Sequence, residues 1–556
     1  MTDIRRTVLW VVFSASLLLL WDGWQRHNGR PSMFAPTPPT AATQPAAAPP
    51  ASGVPQAAAQ LGSPAQPAPA PGAAPAAAVP AQGELVQIDT DLVSASFDTL
   101  GGSLVELKLL KHGDDTPERS PMKVLERQRF YAAQSGLVDV PGAPNHTTVM
   151  RLVSAERKLA DGAQQLNVRF ESPEQAGLKL IKTYTFERGS YAIKVRHEVQ
   201  NVGAAPVKPQ LYLQLQRDGS QLQGGGPAAF GTGTFTGGAI YHDKIKYTKV
   251  AYTDLDKKPF EGERVAQDGW VAMVQHYFAS AWLRTADGPR EFYARRIAPH
   301  LYTVGVVHPL AQVAPGANVV ADDVLFVGPQ EEKNLAALAK GLDLLKDYGW
   351  FHILAKPLFW LLDQIHALIG NWGWAIVILV LLLKVAFYSL NASAYRSMAK
   401  MKKVNPRIME MRERLKDKPQ QMQQEMMRLY KEEKVNPLGS CLPILLQIPF
   451  FIALYWVLLS TVEMRHAPWI GWITDLSAKD PWFVLPALMT LSSLLQVWLQ
   501  PAPPDPMQAK LMWIMPLMFS VMFFFFPAGL VLYWLVNNLL SIAQQWMINK
   551  QLGVQN

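Results

Sequence analysis

The chain has 556 residues, of which 49% are hydrophobic and 17% charged, and its formal net charge is +8. That length exceeds one ordinary domain, and so small a surplus of base excludes a polyanion binder that works by bulk charge. The single cysteine, Cys441, excludes an internal disulfide and reads as a small buried hydrophobe at the start of an apolar run.

The long apolar runs sit at the two ends of the chain, with ordinary charged sequence between them, which predicts a membrane protein with a large water-exposed domain. Residues 7–24 (TVLWVVFSASLLLLWDGW) follow Arg5 and Arg6. Trp21 and Trp24 favour a membrane interface, and no small-x-small site closes the run. It reads as a retained anchor, residues 1–30, with its N-terminus in the cytoplasm. Ala-x-Ala sites further on leave a cleaved signal peptide as the alternative. Residues 31–83 hold no charged side chain and are rich in Pro and Ala, so they form an extended tether.

Residues 84–328 read as an all-β domain. Val93, Ala95 and Phe97 alternate with polar residues, as do Val105, Leu107 and Leu109. Leu178, Leu180, Tyr184 and Phe186 lead to a turn at Glu187-Arg188-Gly189-Ser190, and Tyr191, Ile193, Val195 and Val199 resume the alternation. Leu211, Leu213 and Leu215 repeat it. Period two with Gly, Pro and Asn punctuation predicts an antiparallel sandwich. The glycine-rich stretch 224–238 lacks the strand-to-helix setting of a phosphate cradle.

Residues 329–369 turn helical. Leu335, Leu338, Leu342 and Leu345 recur at helical spacing, and 350–368 is an amphipathic helix expected to lie in the membrane interface. Five apolar runs follow, at 371–390, 442–459, 482–499, 511–526 and 528–547, within a core of residues 371–549. With the anchor they make six spans. Twelve Lys and Arg lie in the loop 391–438, against two (Arg465 and Lys479) in 462–481. The positive-inside rule then puts 391–438 and both termini in the cytoplasm, and the β domain outside.

Lys384 is the one charge in the run 371–390 (NWGWAIVILVLLLKVAFYSL). A lysine at the centre of a spanning helix costs about 2.5–3.5 kcal/mol on insertion scales. The five runs hold no Asp or Glu to offset that cost. Lys384, about six residues from the cytoplasmic end of its helix, therefore either snorkels to the surface or stands in a hydrated groove. Pro443, Pro449, Pro486 and Pro516 interrupt the runs. Gln447, Gln496, Asn537, Asn538, Gln544 and Gln545 call for interhelical hydrogen bonds or water. The loop 391–438 reads as a helical hairpin broken at Asp417-Lys418-Pro419. Ile408, Met411 and Leu415 share one face, and Met422, Met426 and Leu429 another, either packed together or open as a docking surface. The histidines are scattered, and no metal-ligand spacing or Ser/His/Asp grouping stands out. No catalytic residue, cofactor or metal is expected, and the protein is not expected to be an enzyme.

Several segments resemble the YidC insertase family of bacteria. They are NWGWAIVILVLLLK (371–384), YRSMAKMKKVNPRI (395–408), EKVNPLGSCLPILLQIPFFIALYW (433–456), DPMQAKLMWIMP (505–516) and FPAGLVLYWLVNNLLSIAQQ (526–545). DGWVAMVQHYFASAWL (268–283) resembles that family's periplasmic domain. The resemblance implies a polytopic α-helical membrane protein of the bacterial inner membrane, with a five-helix insertase core and a large periplasmic β-supersandwich related to galactose mutarotases. It implies an insertase and chaperone that passes nascent hydrophobic segments through a hydrophilic, cytoplasm-open groove into the bilayer, alone or with the Sec translocon. The family's groove carries a positive residue, usually arginine, where this chain has Lys384. Its substrate-contacting positions carry over to Gln447 and Trp534. Tyr395, Met398, Lys400, Lys402, Met411 and Met426 fall in its recruitment hairpin, which meets the ribosome and targeting machinery. The implied partners are nascent membrane proteins, the Sec translocon, that machinery and the lipid bilayer, with no sequence-specific nucleic acid. A secondary transporter using Lys384 as a buried cationic site is the alternative, but such proteins commonly bury carboxylates and repeat internally. An anchored periplasmic carbohydrate enzyme leaves five spans unexplained.

Overall fold

Period-two alternation becomes sheet from Leu85 onward in the computed structural model, which describes residues 54–55, 83–116, 118–219, 234–415, 418–433, 442–500, 506–551 and 553. The anchor, most of the tether, the loop 224–233 and Cys441 lie outside the described residues.

Two nine-stranded sheets make the β domain. The first runs Leu85–Asp89, Val93–Asp98, Ser103–Gly113, Ala132–Val138, Gln210–Asp218, Leu301–Pro309, Arg290–Ala298, Val265–Ala266, with Pro121–Leu125 added to the third strand. The second runs Lys246–Val250, Gly237–His242, Trp270–Gln275, Phe278–Arg284, Asn318–Pro329, Ala192–Asn201, Leu178–Glu187, Gln165–Glu171, Arg151–Leu152. Their strands pair antiparallel. Leu211, Leu213 and Leu215 point into the apolar core between the sheets, with Phe97, Leu107, Leu180 and Val195. The fully buried Trp282 ties sheet to sheet, its indole N–H donating to Gln214 O at 3.1 Å. The expected turn after Glu187 forms, with Gly189 at φ 74°, a backbone conformation that costs glycine nothing. One expectation fails. Ser96 pairs with Glu106 and Phe97 with Leu104, so a bulge skips Val105. Leu104 faces the core in its place, and Val105 stays half-buried.

The chain then enters helix α1 (Glu332–Leu338), a 3-10 turn at Leu342–Leu345, and α2 (His352–Ile369). Leu335, Leu342 and Leu345 are buried as expected, while Leu338 is exposed. Helix α2 buries Ala355, Leu358, Phe359, Leu362 and Ile365, and leaves Ile353, Trp360 and Leu368 exposed. That two-sided apolar surface suits a helix packed on protein along one stripe and on lipid along the other.

Six helices follow. They are α3 (Trp372–Ala386), α4 (Tyr388–Arg414), α5 (Pro419–Glu432), α6 (Leu442–Ser460), α7 (Val484–Leu499) and α8 (Pro506–Phe523). A seventh, α9 (Ala528–Gln551), ends the bundle. Asn371 caps α3, accepting from the Trp374 backbone N–H at 3.1 Å. Asp480 does the same for α7 through the Leu485 N–H at 2.7 Å. Among the described residues, no single helix is long and apolar enough to cross a membrane. Together, α3 and α4 meet that test, but with a 69° bend. The expected run 371–390 therefore breaks at Phe387. Helix α9 has the length, but its interior amides lower its hydropathy.

The β domain and the bundle meet around the turn that follows α6. Val462 joins the apolar core of the sheets, whereas Met464 joins that of the helices. Glu463 lies 3.2 Å from the ammonium of buried Lys346. Arg465 donates to Gly113 O and, at 2.6 Å, to Asp115 Oδ1. The hairpin tip at His276 donates to Leu459 O at 2.9 Å.

Candidate functional site: a cleft at Lys384

Helices α3, α6 and α9 enclose a cleft lined by Val380, Leu383, Lys384 and Phe387 from α3 and its end, by Gln447, Phe450, Phe451 and Leu454 from α6, and by Tyr533 and Asn537 from α9. It is narrow, with about 20 Å3 open to the centre of a water molecule, room for one or two waters. Lys384, Gln447 and Asn537 are its long polar side chains amid aromatic and aliphatic ones. Most of the lining is therefore apolar.

Lys384 sits in the last turn of α3, not six residues from its end. The bend at Phe387 ends the helix just past it, and a cation is favoured at a helix C-terminus. Its Nζ donates to Ser541 Oγ at 2.7 Å. The Ser541 hydroxyl in turn donates to Asn537 O, also at 2.7 Å. A hydroxyl replaces the carboxylate that a buried lysine ordinarily finds, so the positive charge is solvated without being neutralised. The Gln447 amide donates to Asn391 Oδ1 at 3.4 Å, while Asn391 Nδ2 is buried without a partner. Trp534 does not line the cleft. It stacks on Phe451, which does, at 5.2 Å between ring centres and 9° between planes.

Three of the other amides satisfy neighbouring helices. Asn538 donates to Ser492 and Ser493, Gln544 to Tyr388 O, and Gln545 to Leu499 O. Those bonds tie α9 to α7 and α4, and they leave Asn537 as the amide of this helix that faces the cleft.

Depth follows from where the helices meet the β domain. Gln447 lies on α6 twelve residues before Leu459, ~18 Å at 1.5 Å per residue. Lys384 lies a similar ~18 Å along α3 from Trp372, whose neighbour Gly373 packs against Trp469 of the junction loop. Lys384 and Gln447 thus stand on the side of the bundle away from the β domain, and Asn537 lies near the middle of α9.

The hairpin residues scatter by environment. Val404 and Ile408 of α4 are buried against Met426, Leu429 and Tyr430 of α5. Met411 is buried, Tyr395, Met398 and Lys402 are half-buried, and Lys400 is exposed. The methionines that face solvent most openly are Met409 and Met427. Pro419 opens α5, where its missing N–H costs nothing.

One grouping escaped the sequence. Ser135 Oγ lies 2.9 Å from His197 Nε2, and His197 Nδ1 lies 3.4 Å from Asp323 Oδ2. The second approach is too poorly aligned for a hydrogen bond, and both atoms stay unpartnered. All three residues are sealed between the sheets, so no substrate reaches the serine. Beside them, buried Lys182 donates to Gly101 O and Ser135 O, and burial pushes its ammonium down to about 7. Nothing in the spacing of residues 135, 197 and 323 marks them, since they come from three distant strands. Among the described residues, no cluster of His, Cys, Asp and Glu is arranged to hold a metal.

A β domain packed on a bundle of helices with wide exposed apolar faces fits the class of membrane proteins. The family model described as the YidC periplasmic domain matches residues 85–361, and that described as 60Kd inner membrane protein matches residues 364–555. The membrane protein insertase YidC of Cupriavidus necator is 54% identical over 553 residues, covering 99% of this chain and 98% of the relative. An active YidC insertase crystal structure overlaps 83% of this chain and 94% of its own at a TM-score of 0.36 and 18% identity. A galactose mutarotase-like protein from Lactobacillus casei overlaps 44% of this chain and all of its own at a TM-score of 0.30 and 8% identity. The chain belongs to the YidC family of inner-membrane protein insertases, whose substrates are nascent membrane proteins.

Proposed function

We propose that the Lys384 cleft is the path by which a hydrophobic segment, together with the polar residues beside it, leaves the cytoplasm for the bilayer. The carrying observation is the uncompensated ammonium on the bundle face away from the β domain, partnered by the Ser541 hydroxyl. Moving polar chain into hydrocarbon costs several kcal/mol per unsatisfied group. A cleft with a cation, two amides and a gap on the cytoplasmic half lowers that cost, and the cation attracts acidic residues of the passing segment. The aromatic wall of Phe450 and Phe451, the latter backed by Trp534, suits the apolar part of the same segment.

In this reading α3, α6, α7, α8 and α9 are five spans, and the anchor is the sixth. Residues 391–438 and both termini are cytoplasmic, and the two sheets form a periplasmic supersandwich. Helix α8 supports a lateral exit, because Leu511, Ile514, Leu517, Met518 and Val521 are all exposed and apolar. The hairpin α4–α5, with Tyr395, Met398, Lys400, Lys402, Met411 and Met426, recruits the ribosome and targeting machinery. Chaperone activity and cooperation with the Sec translocon belong to the same proposal.

The test is reconstitution. The purified full chain in liposomes should insert a small single-span protein, scored by protease protection. Lys384→Leu should lose most of that activity, and Lys384→Arg should keep it. Full activity in Lys384→Leu would show that the lysine merely snorkels.

A further inference from the structure

Past the bend at Phe387, α4 and α6 meet at two successive rungs. At the first, the Phe387 ring meets the Phe450 ring edge-on, with 5.0 Å between centres and 71° between planes. At the second, the Gln447 amide donates to Asn391 Oδ1 at 3.4 Å. Phe387 precedes Asn391 by four residues and Gln447 precedes Phe450 by three, spacings that put each pair on one face of its helix. The Asn391 backbone N–H donates to Phe387 O at 3.0 Å, as a regular helical turn requires. Asn391 therefore lies one turn beyond Phe387, the last residue that this part of the chain gives to the cleft lining.

The amide at the second rung is poorly satisfied. Asn391 is 5% exposed, and its Nδ2 is buried without a partner among the described residues. The one bond its side chain accepts is long for an N–H···O contact. A donor kept from water and left unpaired opposes folding, and an apolar side chain of the same size would remove that penalty. Gln447 is half-buried and lines the cleft, whereas Asn391 lies behind it.

From this geometry we infer that Asn391 is a second polar station of the insertion path, one that takes uncharged polar groups. Rotation of the Gln447 side chain uncovers Asn391, whose free Nδ2 then donates to a carbonyl of the passing segment. That carbonyl belongs to a peptide unit or to an Asn or Gln side chain. The long bond between the two amides is the one given up, and the released Gln447 N–H donates to the same segment. Lys384 serves carboxylates through its charge, and the amide pair serves carbonyls, which carry none. The inference rests on the cleft being the insertion path.

The test uses the full chain in liposomes and three forms of one single-span substrate, with Gln, Glu or Leu at the same place in the segment that crosses, scored by protease protection. Asn391→Leu should lower insertion of the Gln form several-fold relative to the Glu and Leu forms, and its melting temperature in detergent should hold. Gln447→Leu should show the same preference, and the double variant should lose no more than the worse single one, as residues acting together do. Equal losses for all three forms, which a merely structural amide would give, overturn the inference, and so does full insertion of all three. Lys384→Leu separates the two readings. Its full activity removes the cleft as the path, whereas its failure beside an Asn391→Leu that treats the three forms alike removes the second station only.

Discussion

The Lys384 ammonium and the Ser541 hydroxyl lie 2.7 Å apart although 157 residues separate them in sequence. The serine hydroxyl donates to Asn537 O, so it meets the ammonium as an acceptor. A lysine partnered in this way keeps its charge available to whatever enters the cleft.

Ser541→Ala should therefore be mild and Lys384→Leu severe. The first removes one charge-assisted bond of about 1.5–3 kcal/mol, which water can replace at an open cleft. The second removes the charge. Reconstituted insertion assays on both variants check this ordering. Comparable losses would make the serine, rather than the charge, the essential group.

Trp534 stacks on Phe451 and meets Phe523 edge-on at 5.6 Å. Aromatic pairs contribute about 0.5–1.5 kcal/mol beyond their buried area. Trp534→Phe should keep most of this, and Trp534→Ala should lower the melting temperature in detergent by clearly more. Equal losses would place the indole's role outside the stack.

The β domain should lose stability on acidification. Burial holds His276 at about 4 and His308 at about 3, against an ordinary value near 6.5. Between those values and 6.5 the unfolded chain binds protons that the folded one does not, so stability falls as pH drops from about 6.5 towards 4. Lys182 behaves alike at higher pH. Its folded value of about 7 lies below 10.5, so stability rises with pH across that window. Both ring nitrogens of His308 are buried without partners, and His308→Leu should flatten the acid limb. Lys182→Met should flatten the alkaline one, while costing about 1–3 kcal/mol for the two carbonyls left without a donor. Denaturant unfolding at several pH values, followed by the protection of β-strand peptides in pulsed proteolysis, reads both slopes.

In the hairpin, packing should outweigh charge. Arg407–Glu433 and Arg414–Glu425 are exposed ion pairs at 2.6 Å, of a kind worth about 0–1 kcal/mol. Arg414→Ala should be nearly silent. Ile408→Asp puts a charge where the two helices bury Val404 and Ile408, and should separate them. Limited proteolysis between α4 and α5 distinguishes the two.

Much of this was legible in the sequence. Leu211, Leu213 and Leu215 alternate into the core as their spacing requires, and the turn at Gly189 stands where its residues put it. Pro419 broke the hairpin. The misses have physical causes. A bulge changes register without changing composition, which is why Val105 was misplaced. The bend at Phe387 lies within an uninterrupted apolar run, so Lys384 was set too far from the end of its helix. Gln447 and Asn537 were recognised as polar residues needing partners, but only packing decides which amide faces the cleft. Arg465 looked like one of two charges in a short loop. Its partners, Gly113 and Asp115, lie some 350 residues earlier.

The most direct test of the cleft is site-specific photocrosslinking to a stalled nascent membrane protein, with probes at Gln447, Phe450 and Phe451 and a control at Ile353 on the exposed face of α2. The account predicts crosslinks from the first three and none from the control. Crosslinks from Ile353 alone, or from no position, would contradict it.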